Sequence, residues 1–284
     1  MRLYTFEHQG TERIGFERDG RLIEIIAHRG GMISFIASGR KAMEAAIQSA
    51  LRSADAVSYA VGEVNILAPI PRAGKILCSG INYRGHLEEN PNAKLPATPF
   101  FFSKLPTAVI GPKQPIVHPR MTKQLDYEVE LAVVIGKRMK QTPEGEVMDC
   151  LAGYTILDDV SARDVQFTDN QITLGKNFDT FSPMGPCLVT TDEIADPAKM
   201  RLRTYLNGQV MQDGSTSDWV FPLPYLLSFL SQVMTLEPGD VVSTGTPAGV
   251  GYFRNPPVFM RPGDRVVLEI EGIGLLENTV IAEE

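Results

Sequence analysis

The sequence predicts a β-rich α+β protein, a roll or barrel rather than an alternating βαβ fold. Three observations carry this. Beyond residue 70 the chain is mostly short apolar and β-branched runs, separated by turn residues at irregular spacing. Tight-turn dipeptides join such runs, Asp19-Gly20 early and Asn207-Gly208 late. In that later region one stretch has a clear amphipathic helical period, residues 219–234, with Leu226, Leu227, Leu230 and Val233 expected to be buried. A chain of 284 residues suits one large domain and one small one, so 1–70 reads as a small α/β domain and 71–284 as a second domain. The boundary falls at Pro69-Ile70-Pro71, because proline neither continues a helix nor donates to a β-ladder.

Residues 2–7, 13–17 and 21–26 read as a small antiparallel meander. Helices follow at 31–37 and 40–52, the second placing Met43, Ala46, Ile47, Ala50 and Leu51 on one face. An extended piece at 64–68 leads into the prolines. Residues 75–79 form an apolar strand that opens into a polar loop, 80–90, with helical character. Three prolines in 90–99 make that segment a loop able to act as a lid. Strands are expected at 100–104, 116–119, 126–136, 154–157 and 241–244, and hairpins at 200–212 and 265–281. The glycine-rich loop 244–251 can cradle an anion with backbone N–H groups, but it lacks the pattern of a nucleotide P-loop.

Bulk composition excludes several classes. With 43% hydrophobic and 21% charged residues the chain is not disordered. A net charge of -7 argues against a nucleic-acid or anionic-membrane surface. No apolar run approaches ~18 residues, so no membrane span is expected. The first residues, with Arg2, Glu7 and His8, lack the apolar core of a signal peptide. Cys78, Cys150 and Cys187 form no CxxC pair, which points to a reduced, cytoplasmic setting with each cysteine a small buried hydrophobe.

Chemistry gathers around 126–136. Tyr127, Val129, Leu131, Val133 and Ile135 share one strand face, while Asp126, Glu128 and Glu130 share the other, continued by Ala132 and Val134. Carboxylates two residues apart on one face repel each other and, if buried, need a cation. An isolated Glu-x-Glu also fits the solvated start of a half-exposed strand. Other candidates lie elsewhere. His86 and Glu89 are three residues apart in a helical turn, where a carboxylate raises the basicity of an imidazole. Asp158-Asp159 end a strand, and Lys176 stands alone among apolar and small residues. An all-oxygen triad suits Mg2+, Mn2+ or Ca2+ rather than zinc. Spacing does not choose between Asp158 and Asp159.

Taken in order, the segments 80–89 (GINYRGHLEE), 101–104 (FFSK), 128–136 (EVELAVVIG), 153–166 (GYTILDDVSARDVQ), 175–181 (GKNFDTF), Asn207-Gly208 and 244–251 (TGTPAGVG) resemble the fumarylacetoacetate hydrolase superfamily, over residues 72 to 284. The chain looks like a bacterial acylpyruvate hydrolase-like member with a small N-terminal domain. The resemblance implies a mixed β-sandwich roll, a homodimer, and one Mg2+ or Mn2+ per subunit, a site that Ca2+ also fits. It makes Glu128, Glu130 and Asp159 the metal ligands, and His86 with Glu89 the water-activating dyad on a mobile lid. It makes Lys176 the contact to the substrate oxygen and Arg163, Gln166 and Thr246 substrate contacts. Asp126 and Asp158 match no ligand position and return to a solvated strand end and a helix cap. The implied reaction is hydrolytic cleavage of the C–C bond of a 2,4-dioxo acid, such as fumarylpyruvate, maleylpyruvate or a fumarylacetoacetate-like compound, to pyruvate and a carboxylic acid in aromatic-compound catabolism. The same site serves oxaloacetate decarboxylation, keto–enol or double-bond isomerisation, or hydration of a 2-hydroxy-diene-dioate. A non-catalytic metal-binding protein is the reading from another class. The acyl-group pocket is expected near Tyr252 and Phe253.

Overall fold

The protein's computed structural model describes residues 1–90 and 94–284. It opens with the expected meander, β1 (Arg2–His8), β2 (Thr11–Arg18) and β3 (Arg21–Glu24), then α1 (Gly31–Ala37), α2 (Arg40–Arg52), β4 (Ser58–Ala60) and β5 (Asn65–Ile66). The next section carries β6 (Ile76–Gly80), α3 (Arg84–Glu89), β7 (Phe100–Lys104), β8 (Val109–Ile110), β9 (Ile116–His118), β10 (Leu125–Asp126) and β11 (Val129–Ile135). Then come β12 (Leu151–Asp158), β13 (Ser161–Ala162), α4 (Arg163–Phe167), α5 (Ile172–Lys176) and β14 (Ser182–Thr190). The chain closes with β15 (Arg201–Leu206), β16 (Gln209–Ser215), α6 (Leu223–Val233), β17 (Val241–Ser243), β18 (Arg265–Ile270) and β19 (Gly274–Ala282). The result is the β-rich α+β class read from the sequence.

One large sheet runs β4-β3-β2-β1-β14-β12-β11-β17-β6-β7. A five-stranded sheet runs β16-β15-β18-β19-β9. Connections are mostly antiparallel, but β6 lies parallel to β17, which makes the large sheet mixed. The N-terminal meander joins it edge-on, with Leu3 opposite Leu188 of β14.

Strand β11 is wholly buried, with Val129, Leu131, Val133 and Ile135 in one apolar cluster and Ala132 and Val134 in another. The first cluster also holds Leu202, Val266, Leu268 and Leu276 of the small sheet. The second includes Met32, Phe35 and Ile36 of α1 and Met43 and Ile47 of α2. The alternation read from the sequence is therefore real, and both faces are covered. This is why the apolar half of the carboxylate face needed no solvent.

Among the boundaries that differ from expectation, two have a plain local cause. The helix begins at Leu223, not Trp219, because Pro222 and Pro224 are suited to a helix start while 216–218 form a separate short 3-10 turn; Leu226, Leu227 and Leu230 are buried as expected, but Val233, at the last turn, is exposed. The strand expected over 126–136 is broken after Asp126. There the backbone ladder is replaced by side chains: the Tyr127 N–H donates to its neighbour Asp126 Oδ1, the Glu128 N–H to Asp158 Oδ1, and the Val129 N–H to Gln212 Oε1.

A close approach fixes the centre of the large sheet. A Cβ on Gly153 of β12 would lie 2.1 Å from the Val189 carbonyl oxygen of β14, and that neighbour is backbone. Gly153→Ala is therefore expected to lose on the order of 1–3 kcal/mol or more of stability. A urea titration checks this, and an unchanged midpoint would refute it.

Candidate active site

The carboxylates at the start of β11 are not solvated. Glu128 and Glu130 are 4% and 2% exposed, and Asp159, just past β12, is 0% exposed. A bare carboxylate so placed costs several kcal/mol unless it is paired. The chain pairs two of the three. Glu128 Oε1 accepts from Arg163 Nη2 at 2.6 Å and Oε2 from Lys176 Nζ at 2.7 Å. Asp159 Oδ1 accepts from Lys104 Nζ at 2.6 Å and Oδ2 from Lys176 Nζ at 2.8 Å. Burial works against ionisation of Glu128, but Arg163 and Lys176 outweigh it and hold its pKa below the usual carboxylate range. Burial also opposes the Lys176 ammonium, and Asp159 and Glu128 reverse this, so its pKa is raised.

Glu130 is different. Its Oε2 accepts from the Ser243 hydroxyl and from the Gly245 N–H, and among the described residues no cation pairs with it. Burial, with repulsion from Asp159 and Glu128, pushes its pKa well up. A buried acid in this state favours any cation that reaches it. Atoms of Glu130, Asp159 and Cys78 lie within 4.8 Å of one another. This donor set fits a divalent cation, with Glu130 and Asp159 as oxygen ligands. Glu128, on the same strand face, is turned to Arg163 and Lys176 and stands outside that cluster.

Helix α3 carries the histidine. His86 Nδ1 lies 2.7 Å from Glu89 Oε2, and both side chains are largely buried, so this is no surface pair. A carboxylate at Nδ1 favours the tautomer that leaves Nε2 as the base. The helix is anchored from remote parts of the chain. The Gly85 N–H donates to Asp218 Oδ2 at 2.8 Å, and Glu89 Oε1 accepts from the Gly249 N–H at 2.7 Å. Phe253 packs edge-on against the His86 ring, with centroids 5.9 Å apart. Between β6 and α3, Ile81 has φ 54, a strained setting for a β-branched residue at the cavity wall. The lid expected over 90–99 falls partly on Pro91, Asn92 and Ala93, which lie outside the described residues.

These parts line one cavity of about 210 Å3 that includes His86, Glu128, Glu130, Asp159, Arg163 and Lys176. Gln166, Thr246 and Phe253 line it too, whereas Tyr252 packs against Phe167 at the side. Glu89 stands behind His86. The expected substrate contacts already have internal partners. Arg163 bonds Asp126, Glu128 and, through Nη1, Gln166 Oε1. The Thr246 hydroxyl donates to the Val129 carbonyl and accepts from Gln212 Nε2.

Two expectations are corrected. Asp126 is no solvated strand end: it is fully buried and accepts from Arg163 Nε and from the Tyr127, Gly251 and Tyr252 N–H groups. Arg163 needs a second carboxylate, and Asp126 supplies it. Asp158 caps no helix. Its Oδ1 accepts from the Glu128 N–H, its Oδ2 is buried without a hydrogen-bond partner among the described residues, and burial pushes its pKa up to about 8. The glycine-rich loop does cradle anions, but they are the chain's own: Gly245, Gly249 and Gly251 serve Glu130, Glu89 and Asp126.

Sequence reasoning missed Lys104, Cys78 and Asp218. A lysine closing the Phe100-Phe101-Phe102 strand was the available signal for Lys104. Cys78 is buried, as expected, yet it sits beside carboxylates rather than only in apolar packing. Asp218 meets α3 from 133 positions away, and nothing local marks it.

Comparison with known proteins settles the family. Residues 75–281 match the family model described as fumarylacetoacetate (FAA) hydrolase C-terminal. The chain belongs to the fumarylacetoacetate hydrolase family. A mitochondrial oxaloacetate tautomerase of Bos taurus is 42% identical to this fumarylacetoacetate hydrolase family member, over 99% of this chain and 92% of that protein. An oxaloacetate tautomerase of Bacillus subtilis is 41% identical, over 92% of this chain and 89% of that protein. Among solved structures, maleylpyruvate hydrolase from Sphingobium sp. SYK-6, in complex with manganese(II) and pyruvate, superposes with a TM-score of 0.84 at 30% identity, covering 100% of both chains. The family's fold is thus the β-rich roll described above, and these relatives are enzymes. Among the described residues no helix is long and apolar enough to cross a membrane.

Proposed function

We propose that this enzyme interconverts the keto and enol forms of a small 2-oxo diacid of the oxaloacetate type. The observation that carries this is that His86 and Lys176 line one cavity, which puts a proton carrier and a fixed ammonium in the same site. The greater identity to two oxaloacetate tautomerases than to the maleylpyruvate hydrolase supports it. Isomerisation, one of the alternatives, is therefore taken ahead of the C–C hydrolysis expected from sequence.

Glu130 and Asp159 would hold a Mg2+ or Mn2+ ion, and Glu128 would join them only by turning from Arg163 and Lys176; the ion when bound supplies Lewis-acid polarisation of a 2-oxo acid. The chain's own residues do the rest. Glu89 accepts from Nδ1 of His86 and leaves Nε2 free to take a proton from C3 of the substrate. The C–H electron pair moves into the C2–C3 bond, and the carbonyl pair moves onto the oxygen. The Lys176 ammonium, kept charged by Glu128 and Asp159, stabilises that oxygen. His86 then returns its proton, to oxygen for the enol or to carbon for the ketone. Arg163 and Gln166 shape the wall where a carboxylate lies, and Thr246 offers a hydroxyl oxygen.

A second reading keeps hydrolysis of acylpyruvates, favoured by the 2.7 Å His86–Glu89 pair, since a dyad of this kind also activates water. The readings separate in one experiment. Purified enzyme with Mg2+, Mn2+ or chelator is given oxaloacetate, followed by enol absorbance, and acylpyruvates, followed by pyruvate release. Enol–keto exchange is expected to be the fastest reaction and to collapse with chelator. Faster pyruvate release from an acylpyruvate would replace the proposal with the hydrolytic reading. A melting point raised by metal with no turnover on any compound would leave only a metal-binding protein. A homodimer with one ion per subunit belongs to the same proposal, with light scattering as its check.

A further inference from the structure

Cys78 has no part in the reaction above, yet the strand registers hold its sulfur against the carboxylates. On β6 it is paired with Ser243 of β17, and the Ser243 hydroxyl donates to Glu130 on β11. Asp159 arrives from the end of β12. The side chain is fully buried and makes no hydrogen bond among the described residues. Its sulfur and one oxygen each from Glu130 and Asp159 lie within 4.8 Å of one another.

We infer that this chain binds thiophilic divalent cations of the Zn2+ and Cd2+ class through Cys78 Sγ together with Glu130 and Asp159. Mg2+ and Mn2+ prefer oxygen, whereas Zn2+ and Cd2+ gain from a sulfur donor. The bonds required are about 2.3 Å for Zn–S and about 2.1 Å for Zn–O, reached if each donor moves inward by about half an ångström. Among the described residues Glu130 has no cation to displace; it takes both of its hydrogen bonds at Oε2, which leaves Oε1 for the ion, and each Asp159 oxygen keeps a lone pair beyond its bond to a lysine. The metal takes the place of the thiol proton, which leaves to solvent, and a sulfur–metal bond forms. No oxidant or reductant is involved. Because two of the three donors are the oxygens proposed for Mg2+ or Mn2+, the soft ion competes with the hard one and inhibits. The inference holds whichever reaction the site runs.

The test uses the full-length protein, treated with chelator and then titrated with Cd2+, following the ultraviolet charge-transfer band of a Cd–thiolate bond. Wild type is expected to give a band that saturates at about one equivalent and that excess Mn2+ suppresses. Cys78→Ser and Cys78→Ala should lose the band and bind Cd2+ at least about tenfold more weakly, while Cys150→Ala keeps it. Cys78→Ser retains nearly the size of the native side chain, and circular dichroism confirms that each variant is folded. No band in wild type, or a band that survives in folded Cys78→Ser, would overturn the assignment.

Discussion

Asp159→Ala is expected to be both inactive and markedly less stable. Asp159 is fully buried and joins two lysines that are themselves buried, Lys104 at 2.6 Å and Lys176 at 2.8 Å. Removing it leaves Lys176 with Glu128, but among the described residues Lys104 keeps only the Val160 carbonyl, at 3.2 Å, as a hydrogen-bond partner. An ammonium left buried without a counter-charge costs about 3–5 kcal/mol. That is a large part of the roughly 5–15 kcal/mol by which a typical domain is stable. Lys104→Met should cost less, because Asp159 still has Lys176 and the methionine fills a similar volume. Denaturant midpoints of the two variants and wild type decide the matter. Equal midpoints would mean that the lysines find water or other partners, and that the charge cluster is not a structural element.

His86→Ala should show the opposite profile, a collapse of turnover with little change in stability. The imidazole faces the cavity from a helix of six residues and contributes little to either apolar cluster. Loss of a positioned general acid–base typically costs about 10²–10⁴-fold in kcat. Glu89→Gln should fall between, because glutamine offers one oxygen where Glu89 accepts from both His86 and the Gly249 N–H. Steady-state kcat on oxaloacetate and on acylpyruvates, beside a melting curve, gives both readouts. Full turnover by His86→Ala on every substrate would remove the dyad from the mechanism.

Much of this site was legible because its members come in short, ordered motifs. Glu128 and Glu130 share a strand face by period two, and His86 and Glu89 share a helical turn, so local geometry brings each pair together. Both apolar faces of β11 were readable for the same reason. Long-range pairing was not readable. Asp126 looked like a spare strand-end acid because its partners, Arg163 and the Gly251 and Tyr252 N–H groups, come from 37, 125 and 126 positions away. Asp158 and Asp159 are adjacent, and the direction each takes depends on the strand end, which no spacing rule fixes. Lys104 and Cys78 carried no pattern of their own, since one lysine or one cysteine at a strand position is usually packing.

The anchoring of α3 has a consequence for how such a protein can change. The charge cluster is built from β7, the β10–β11 junction, the ends of β12 and α4, and α5, whereas the histidine helix is a separate insert between β6 and β7. That insert is held by the Asp218 and Gly249 contacts described above and by Asn82, whose amide binds the Thr244 and Phe221 carbonyls. Arg84, Leu87 and Glu88 can therefore be varied without disturbing the buried charge cluster, provided that His86, Glu89 and the Gly85 contact are kept. A library confined to these three positions is the economical route to new substrates on this scaffold.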